Sequence, residues 1–203
     1  MDLIFFVGYH GAGKTYTANQ LISDGFNAYM VDCGPIIRNA FSKSGFEKFD
    51  DWIKYQETTF GNKWDDIILL ETIKTKVLSL SKKPKYLFII GNRNIDTIMF
   101  LKTNLSNGKN DKIIFINRPF EVMKFGYETR MKKELSNDEF AEKLRIDDEM
   151  GLSKIKEYIA QNPENNHIFE LKEYNEQSIR EVGKFILGLK LQKNERSNHL
   201  WKK

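Results

Sequence analysis

Residues 8–15 read Gly-Tyr-His-Gly-Ala-Gly-Lys-Thr, which satisfies the pattern G-x-x-x-x-G-K-[ST] of a phosphate-binding loop, or P-loop. The octapeptide follows the apolar run Leu3–Val7 and opens a predicted helix over Lys14–Asp24, as the motif requires. Glycines let the backbone wrap a phosphate with its N–H groups pointing inward, and the helix adds the positive end of its dipole. The stretch therefore predicts a nucleotide site at the end of the first strand.

The loop also predicts which groups hold the nucleotide. Lys14 is expected to reach the β- and γ-phosphates, and the Thr15 hydroxyl is expected to ligate Mg²⁺. ATP and Mg²⁺ are the expected cofactors. The predicted phosphate-binding residues are Gly8, His10, Gly11, Ala12, Gly13, Lys14, Thr15 and Tyr16.

The composition bounds the rest of the chain. Its 203 residues suffice for one domain with its own hydrophobic core. The net charge of +4 is a mild excess that permits a polyanionic partner without requiring one. The single cysteine, Cys33, excludes an intramolecular disulfide and suits a reducing compartment. No apolar run approaches the roughly 18 residues of a membrane span, so we expect a cytoplasmic protein without membrane contact.

Short apolar runs alternate with helix-period stretches along the chain. Five runs of four or five residues are typical of strands buried on both faces: Leu3–Val7, Ala28–Val31, Tyr86–Ile90, Lys112–Ile116 and His167–Leu171. Between them, apolar residues recur every three or four positions, and one such stretch, 140–159, is predicted to be a single helical face. The alternation predicts an α/β protein with a five-stranded parallel sheet and helices on both faces. Together with the motif at residues 8–15, this indicates the three-layer P-loop fold.

Two classes of P-loop protein fit the remaining motifs poorly. A GTPase needs D-x-x-G and then N-K-x-D, but here Asp148–Gly151 follows Asn62–Asp65, so the order is reversed, and neither string has the expected context. A mechanical ATPase would carry an acid at the end of an apolar strand, whereas the third strand ends Ile89-Ile90-Gly91. Small-molecule kinases remain.

Four segments outside the loop carry a resemblance to such kinases. They are Asp32-Cys-Gly-Pro-Ile-Ile-Arg38, Glu57-Thr-Thr-Phe-Gly61, Gly91-Asn-Arg93, and Phe140 through Arg145 to Glu149 and Gly151. In the same order, these segments are similar to four kinase sequence patterns: D-A-D-x-x-x-R (or G-D-x-x-R), R-E-E-x-G, D-G-I-R and F-x-x-R-D…E…G. Over about residues 3–187 the chain resembles the nucleoside monophosphate kinase group, which includes adenylate kinase and dephospho-CoA kinase. It is most similar to an uncharacterised adenylate-kinase-like family typical of archaea.

The resemblance implies roles for charged residues that follow the second and third strands. Arg38 and Arg93 would lie at the sheet edge beside the loop and grip the acceptor with planar guanidinium groups, the alternative being surface salt bridges. Asp32 would bind Mg²⁺ through water or activate an acceptor hydroxyl, the alternative being an Asx turn or a helix N-cap before Pro35.

The resemblance also implies two mobile or variable parts within a kinase domain over residues 1–191. An acceptor-binding insert would span about residues 35–63 and a lid about residues 118–150, with a polar basic tail at 192–203. Lid cations would stabilise the transferring phosphoryl group, foremost Arg130 and Arg145, although Arg145 and Glu149 could be a helix-surface pair. The insert's aromatic residues would stack on a base or form the insert's own core: Phe46, Phe49, Trp52, Tyr55, Phe60 and Trp64.

The leading hypothesis is an ATP-dependent phosphotransferase acting on a nucleotide-like small molecule of the nucleoside monophosphate or dephospho-CoA class. Its predicted catalytic residues are Lys14, Asp32, Arg93, Arg130 and Arg145, its acceptor-binding residues are Asp32, Arg38 and Arg93, and its metal ligand is Thr15. Partners would be ATP and a small phosphorylated acceptor, with the protein a monomer or homodimer.

Three departures from the family pattern support a rival hypothesis. Ile90, Gly34 and Pro35 stand where the resembling families carry acids. Without those acids the protein could be a nucleotide-binding regulator or a weak ATPase. A third hypothesis, nucleic-acid end phosphorylation, depends only on the basic excess and the tail, so nucleic acid is not an expected partner.

Overall fold

Each of the five predicted strands forms, with ends within one residue of those expected. The computed structural model describes residues 1–106, 110–189 and 191. The strands are β1 (Asp2–Val7), β2 (Ala28–Asp32), β3 (Tyr86–Ile90), β4 (Lys112–Asn117) and β5 (Asn166–Glu170). All pair in parallel in the order β2-β3-β1-β4-β5. The three inner strands are buried almost throughout, which is why they read as continuous apolar runs.

Nine helices flank this sheet in the described residues. They are α1 (Lys14–Ser23), α2 (Cys33–Ser42), α3 (Phe49–Phe60), α4 (Trp64–Leu78), α5 (Ile95–Leu105), α6 (Phe120–Met131), α7 (Asn137–Glu149), α8 (Leu152–Gln161) and α9 (Glu176–Ile186). Helix α1 packs against α9, while α5 packs against both α4 and α8. Side-chain caps encode several helix starts, including the capping box that Ser136 and Glu139 form at α7. The predicted α/β fold class is confirmed.

The prediction of one helical face over residues 140–159 is wrong. The chain forms two helices there, α7 and α8, because Gly151 adopts a left-handed conformation with φ 116°. A side chain is also excluded at this position, since a Cβ on Gly151 would lie 2.9 Å from the carbonyl oxygen of Arg93. The turn lets the end of α7 approach the sheet edge while α8 packs against β5.

The topology places the predicted site residues at one edge of the sheet. The carboxyl ends of parallel strands meet at the same edge, and β1 lies at the centre with β3 and β4 as neighbours. The phosphate loop after β1 is therefore flanked by the segments that follow β3 and β4. These segments begin with Gly91 and Arg118.

The predicted insert and lid correspond to helical segments. Helix α3 lies inside the predicted insert, and α6 and α7 lie inside the predicted lid. Their assignment as insert and lid stays a prediction. The predicted tail, residues 192–203, lies outside the described residues. In the described part of the chain, no helix is both long enough and apolar enough to cross a membrane.

Candidate active site

The phosphate loop is closely packed on its outer side. Gly8, Gly11 and Gly13 all have positive φ angles, of 142°, 73° and 81°. A Cβ on Gly8 would lie 2.3 Å from the carbonyl oxygen of Ile116 in β4, and one on Gly11 would lie 1.8 Å from that of Met123 in α6. The glycines are therefore required by the approach of β4 and α6 as well as by the loop's conformation.

Lys14, the first residue of α1, turns back into the loop. Its Nζ donates to the carbonyl oxygens of Gly8 and Tyr9, both at 2.7 Å. Burial, and next the positive charge of Arg93, lower the pKa of Lys14 to about 7. The nearby charges of Asp147, Arg130 and Asp32 also act on this pKa. Lys14 is thus the centre of a group of charged side chains.

The residues near Lys14 provide donors that suit a magnesium ion. Thr15 lies in the first turn of α1, and its hydroxyl has no hydrogen-bond partner among the described residues. Asp32 ends β2, and the negative charge of its carboxylate raises the pKa of Lys14. Hydroxyl and carboxylate oxygens are the hard ligands that Mg²⁺ takes together with nucleotide phosphates and water. The donor set therefore fits the predicted Mg²⁺, with Thr15 as ligand and Asp32 as partner.

Asp32 also has a structural role. Its Oδ1 accepts a hydrogen bond of 3.1 Å from the backbone N–H of Gly34 and so caps α2. Arg38 reaches the same place, because a Cβ on Gly34 would lie 3.2 Å from Arg38 Nη1 and 3.5 Å from Asp32 Oδ1. The fold thus brings Asp32 and Arg38 together, as the acceptor hypothesis requires, and the alternative of an N-cap is observed as well.

Arg93 joins the phosphate loop to α7. Its Nε lies 3.0 Å from Asp147 Oδ1 in an ion pair, and its Nη2 lies 2.8 Å from His10 Nε2. Asp147 Oδ2 accepts from the backbone N–H of His10 at 2.8 Å and lies 2.9 Å from His10 Nδ1. We call His10, Arg93 and Asp147 the loop triad. Each member contacts the other two.

The ionisation of the triad follows from its surroundings. Asp147 is fully buried. Burial opposes its ionisation, but the hydrogen bond from His10 and the charge of Arg93 outweigh that cost, so its pKa lies below the ordinary value. Burial lowers the pKa of His10, and the charge of Arg93 adds to this effect against the opposing bond to Asp147. The triad therefore contains a carboxylate, a neutral imidazole and a guanidinium at neutral pH.

A second network links the neighbouring loop residue to α7 and α8. The Tyr9 hydroxyl donates to Asp148 Oδ1 at 2.8 Å and accepts from Lys156 Nζ at 2.9 Å. Ser153 Oγ donates to the same carboxylate oxygen at 2.7 Å. Burial and the hydrogen bond to Asp148 raise the pKa of Tyr9. Two consecutive carboxylates of α7 thus hold two consecutive residues of the phosphate loop.

The other flank of the loop is covered by Arg118 and Tyr174. Arg118 is 3% exposed, and its Nε donates to the carbonyl oxygen of Ala12 at 2.9 Å. Its guanidinium carbon lies 4.0 Å from the centroid of the Tyr174 ring, and neither terminal nitrogen has a hydrogen-bond partner among the described residues. The Tyr174 hydroxyl donates to the carbonyl oxygen of Gly11, and its ring packs edge-on against Tyr16. Burial lowers the pKa of Arg118.

The two predicted lid arginines occupy different environments. Arg130 is exposed at the end of α6, 5.3 Å above the Tyr127 ring, and its charge helps lower the pKa of Lys14. Arg145 lies on the exposed face of α7, where it pairs with Glu142 and Glu149. The alternative of a helix-surface pair is therefore observed for Arg145. A catalytic role for either residue stays a prediction.

The aromatic residues of the insert form a small core around Trp52, and several of their rings are also exposed to solvent. Trp52 is 1% exposed and packs edge-on against Trp64 with ring centroids 4.8 Å apart. Trp52 also contacts Phe41 and Phe49, so these rings form a small core around it. The exposed aromatic side chains of the predicted insert are Phe46, Phe49, Tyr55 and Phe60. Base stacking by one of these stays a prediction.

Asp147, Tyr174 and Asn92 are among the residues of this site that were not predicted from the sequence as site residues. Asp147 stands in a run of three acids and Tyr174 in a polar loop, so neither has a local signal. Asn92 is buried between strand ends, where its Oδ1 accepts from the Cys33 thiol at 3.1 Å and its Nδ2 has no described partner. The only sequence signal for Asn92 is its position between Gly91 and Arg93, which belong to a segment that carries the family resemblance.

The chain is similar in structure, but not detectably in sequence, to known proteins. No protein-family model matches it, and no curated protein matches it at a significant level. A Thermus thermophilus protein, TT1252, is 13% identical with a TM-score of 0.59, and the alignment covers 92% of this chain and 96% of that one.

Two further solved structures with this fold are small-molecule kinases. A gluconokinase from Sinorhizobium meliloti is 11% identical, with a TM-score of 0.55 and 92% of each chain covered. A shikimate kinase from Acinetobacter baumannii, solved with shikimate, is 20% identical, with a TM-score of 0.51 and coverage of 95% of this chain and 96% of that one. At these identities the likeness establishes the fold alone.

Proposed function

We propose that this protein is an ATP-dependent phosphotransferase whose acceptor is a nucleotide-like small molecule of the nucleoside monophosphate or dephospho-CoA class. One observation carries the proposal: Arg93, which follows β3, contacts the phosphate loop through His10 at 2.8 Å. A guanidinium and the loop lysine therefore converge at one sheet edge. This arrangement suits a reaction in which charge spreads over a phosphoryl group in transit.

The donor side of the proposed site is the loop itself. Its backbone N–H groups and the N-terminus of α1 would hold the phosphates of ATP. Lys14 would exchange its two backbone carbonyl partners for phosphate oxygens. Thr15 would hold Mg²⁺, which supplies charge neutralisation to the phosphates when bound.

The acceptor side would be formed by Asp32, Arg38 and Arg93. Asp32 would accept a proton from an acceptor hydroxyl or position water on the metal, using the carboxylate oxygen that does not cap α2. Arg38 and Arg93 would hold an acceptor phosphate, since guanidinium groups match phosphate geometry with two parallel hydrogen bonds. Arg130 would add positive charge near the transferring group.

The test is a panel of acceptors with the phosphorylated product identified by mass. The panel contains nucleoside and deoxynucleoside monophosphates and dephospho-CoA, with gluconate and shikimate as hydroxyl acceptors drawn from the kinases of similar fold. We expect one phosphate-bearing acceptor to give a product and stoichiometric ADP. The Lys14→Ala variant is the control, and a panel in which no acceptor exceeds that variant would refute the proposal.

A regulatory or weakly hydrolytic protein is the second candidate. Two observations favour it: Asp32 already caps α2, and the fully apolar, 1% exposed Ile90 stands where the resembling family has an acid. Under this hypothesis calorimetry would detect tight ATP binding, while no acceptor would increase ADP formation. Acceptor-dependent turnover would exclude it.

A further inference from the structure

The loop triad joins three parts of the chain that are distant in sequence. His10 belongs to the phosphate loop, Arg93 follows β3, and Asp147 lies near the end of α7. The carboxylate of Asp147 has one oxygen on the loop and the other on Arg93. The buried Asp147 side chain therefore fixes the position of Arg93 relative to the phosphate loop, and the proposed reaction needs both.

The donors and acceptors of the triad determine the state of His10. A guanidinium carries only donors, so the contact of 2.8 Å between Arg93 Nη2 and His10 Nε2 requires a bare Nε2 that accepts. The proton of the neutral ring must then lie on Nδ1, which donates to Asp147 Oδ2 at 2.9 Å. The geometry assigns the Nδ1–H tautomer of a neutral histidine.

Arg93 keeps binding capacity after these contacts. Of the five N–H bonds of a guanidinium, one on Nη2 donates to His10 and one on Nη1 donates to Met150 Sδ at 3.2 Å, while Nε contacts Asp147 Oδ1 as an ion pair without hydrogen-bond geometry. One N–H on each terminal nitrogen has no partner among the described residues. Those two N–H bonds remain available to donate to phosphoryl oxygens.

We propose that Asp147 is a positioning residue that, together with neutral His10, holds Arg93 at a fixed position relative to the phosphate loop. Protonation of His10 breaks the contact between His10 and Arg93 and so releases Arg93 from this position. The proposal rests on the proposed phosphotransferase function. His10 occupies a variable position of the loop motif. Its uncharged ring is assigned as the hydrogen-bond acceptor that orients Arg93, the arginine proposed to bind the substrate that receives the phosphoryl group.

Protonation acts directly on the contact with Arg93. A proton on Nε2 would replace the acceptor with a donor and place two positive charges about one hydrogen-bond length apart. The charged and titratable groups that face His10 are Asp147 from α7, Arg93 from the segment after β3, Lys14 from α1 and the Tyr127 ring from α6. Only Asp147 is negative, so the protonated ring stays with Asp147 and repels Arg93.

The first test is nuclear magnetic resonance of the full chain and needs no activity. The sequence has three histidines, and a His10→Gln variant identifies the His10 signals by their loss. We expect the Nδ1–H tautomer at pH 7 and a midpoint of titration below 6.5. A protonated ring at pH 7, or the Nε2–H tautomer, would overturn the proposal.

Two matched pairs of variants test whether Arg93 and Asp147 set the titration midpoint of His10. Arg93→Met should raise the titration midpoint of His10, while Arg180→Met, on the exposed face of α9, should leave it unchanged. Asp147→Asn should lower the midpoint, while Asp148→Asn, on the next residue of α7, should change it far less. An unchanged midpoint in both Arg93→Met and Asp147→Asn would overturn the proposal.

The second test uses the acceptor reaction. For the wild type we expect kcat/KM for the acceptor to fall tenfold per pH unit below the His10 midpoint. In His10→Gln, whose amide oxygen accepts from Arg93 without titrating, the acid limb should shrink to the part that the acceptor phosphate's own protonation causes. Asp147→Asn should lower acceptor kcat/KM by about 100-fold, chiefly through KM, with ATP binding weakened less. An acid limb as steep in His10→Gln as in the wild type would overturn the proposal.

The two tests separate failure of this inference from failure of the proposed function. If no acceptor is phosphorylated, the proposed function fails, and the tautomer and titration of His10 still decide whether the triad is arranged as described. If an acceptor is phosphorylated but His10 titrates like a free histidine, the function holds and the inference fails.

Discussion

The burial of Lys14 predicts that ATP binding takes up a proton. In the free protein Nζ donates to two carbonyl oxygens, and a neutral amine has the two hydrogens that these bonds need. With its pKa at about 7, roughly nine-tenths of Lys14 is neutral at pH 8. Phosphate oxygens favour the ammonium form, so binding must bring the proton back.

The magnitude follows from that pKa. We expect uptake of about 0.9 proton per ATP at pH 8, and an affinity that weakens about 50-fold between pH 7 and pH 9. Phosphate monoesters have a second pKa near 6, so the nucleotide itself contributes little in this range. The assay is titration calorimetry at pH 8 in two buffers with different heats of ionisation.

A matched variant isolates the lysine. Lys14→Arg keeps a positive charge that does not titrate, so its ATP binding should take up no proton and should be flat between pH 7 and pH 9. Proton uptake near zero in the wild type, together with a flat affinity over the same range, would refute the argument from burial.

Three further outcomes follow from packing. Gly11→Ala should abolish ATP binding and lower the unfolding midpoint, because its Cβ would lie 1.8 Å from the Met123 carbonyl oxygen; unchanged binding by calorimetry would contradict this. Trp52→Ala should cost about 3–5 kcal/mol in urea unfolding, whereas Phe60→Ala, at a 59% exposed position, should change stability by about 0.5 kcal/mol or less. Equal costs would show that the insert has no such core. The Cys33 thiol, whose pKa burial raises, should react with Ellman's reagent only after unfolding, and rapid reaction of the native protein would contradict its burial.

The fold could be predicted because its signals are local. Each strand of the sheet is a short apolar run buried on both faces, so its limits are visible in the sequence to within one residue. The loop motif then fixed the place of the first strand–helix unit. The helical split at Gly151 could not be predicted in this way, because the apolar period continues across it and the glycine is required by a carbonyl of the Arg93 segment.

The site could be predicted only in part. Lys14, Asp32, Arg38 and Arg93 lie at the predicted sheet edge, since the ends of parallel strands must meet there. The role of Asp147 depends on a contact across 137 residues with His10, and no spacing in the sequence encodes it. This long-range contact depends on the turn at Gly151, which follows the end of α7.

The measurement that tests the central claim most directly is the acceptor-dependent rate of ADP formation at saturating ATP and Mg²⁺. The account predicts that at least one nucleotide-like acceptor raises this rate well above that with ATP alone, and that Lys14→Ala abolishes the increase. A rate that no acceptor changes, in protein shown by calorimetry to bind ATP, would contradict it.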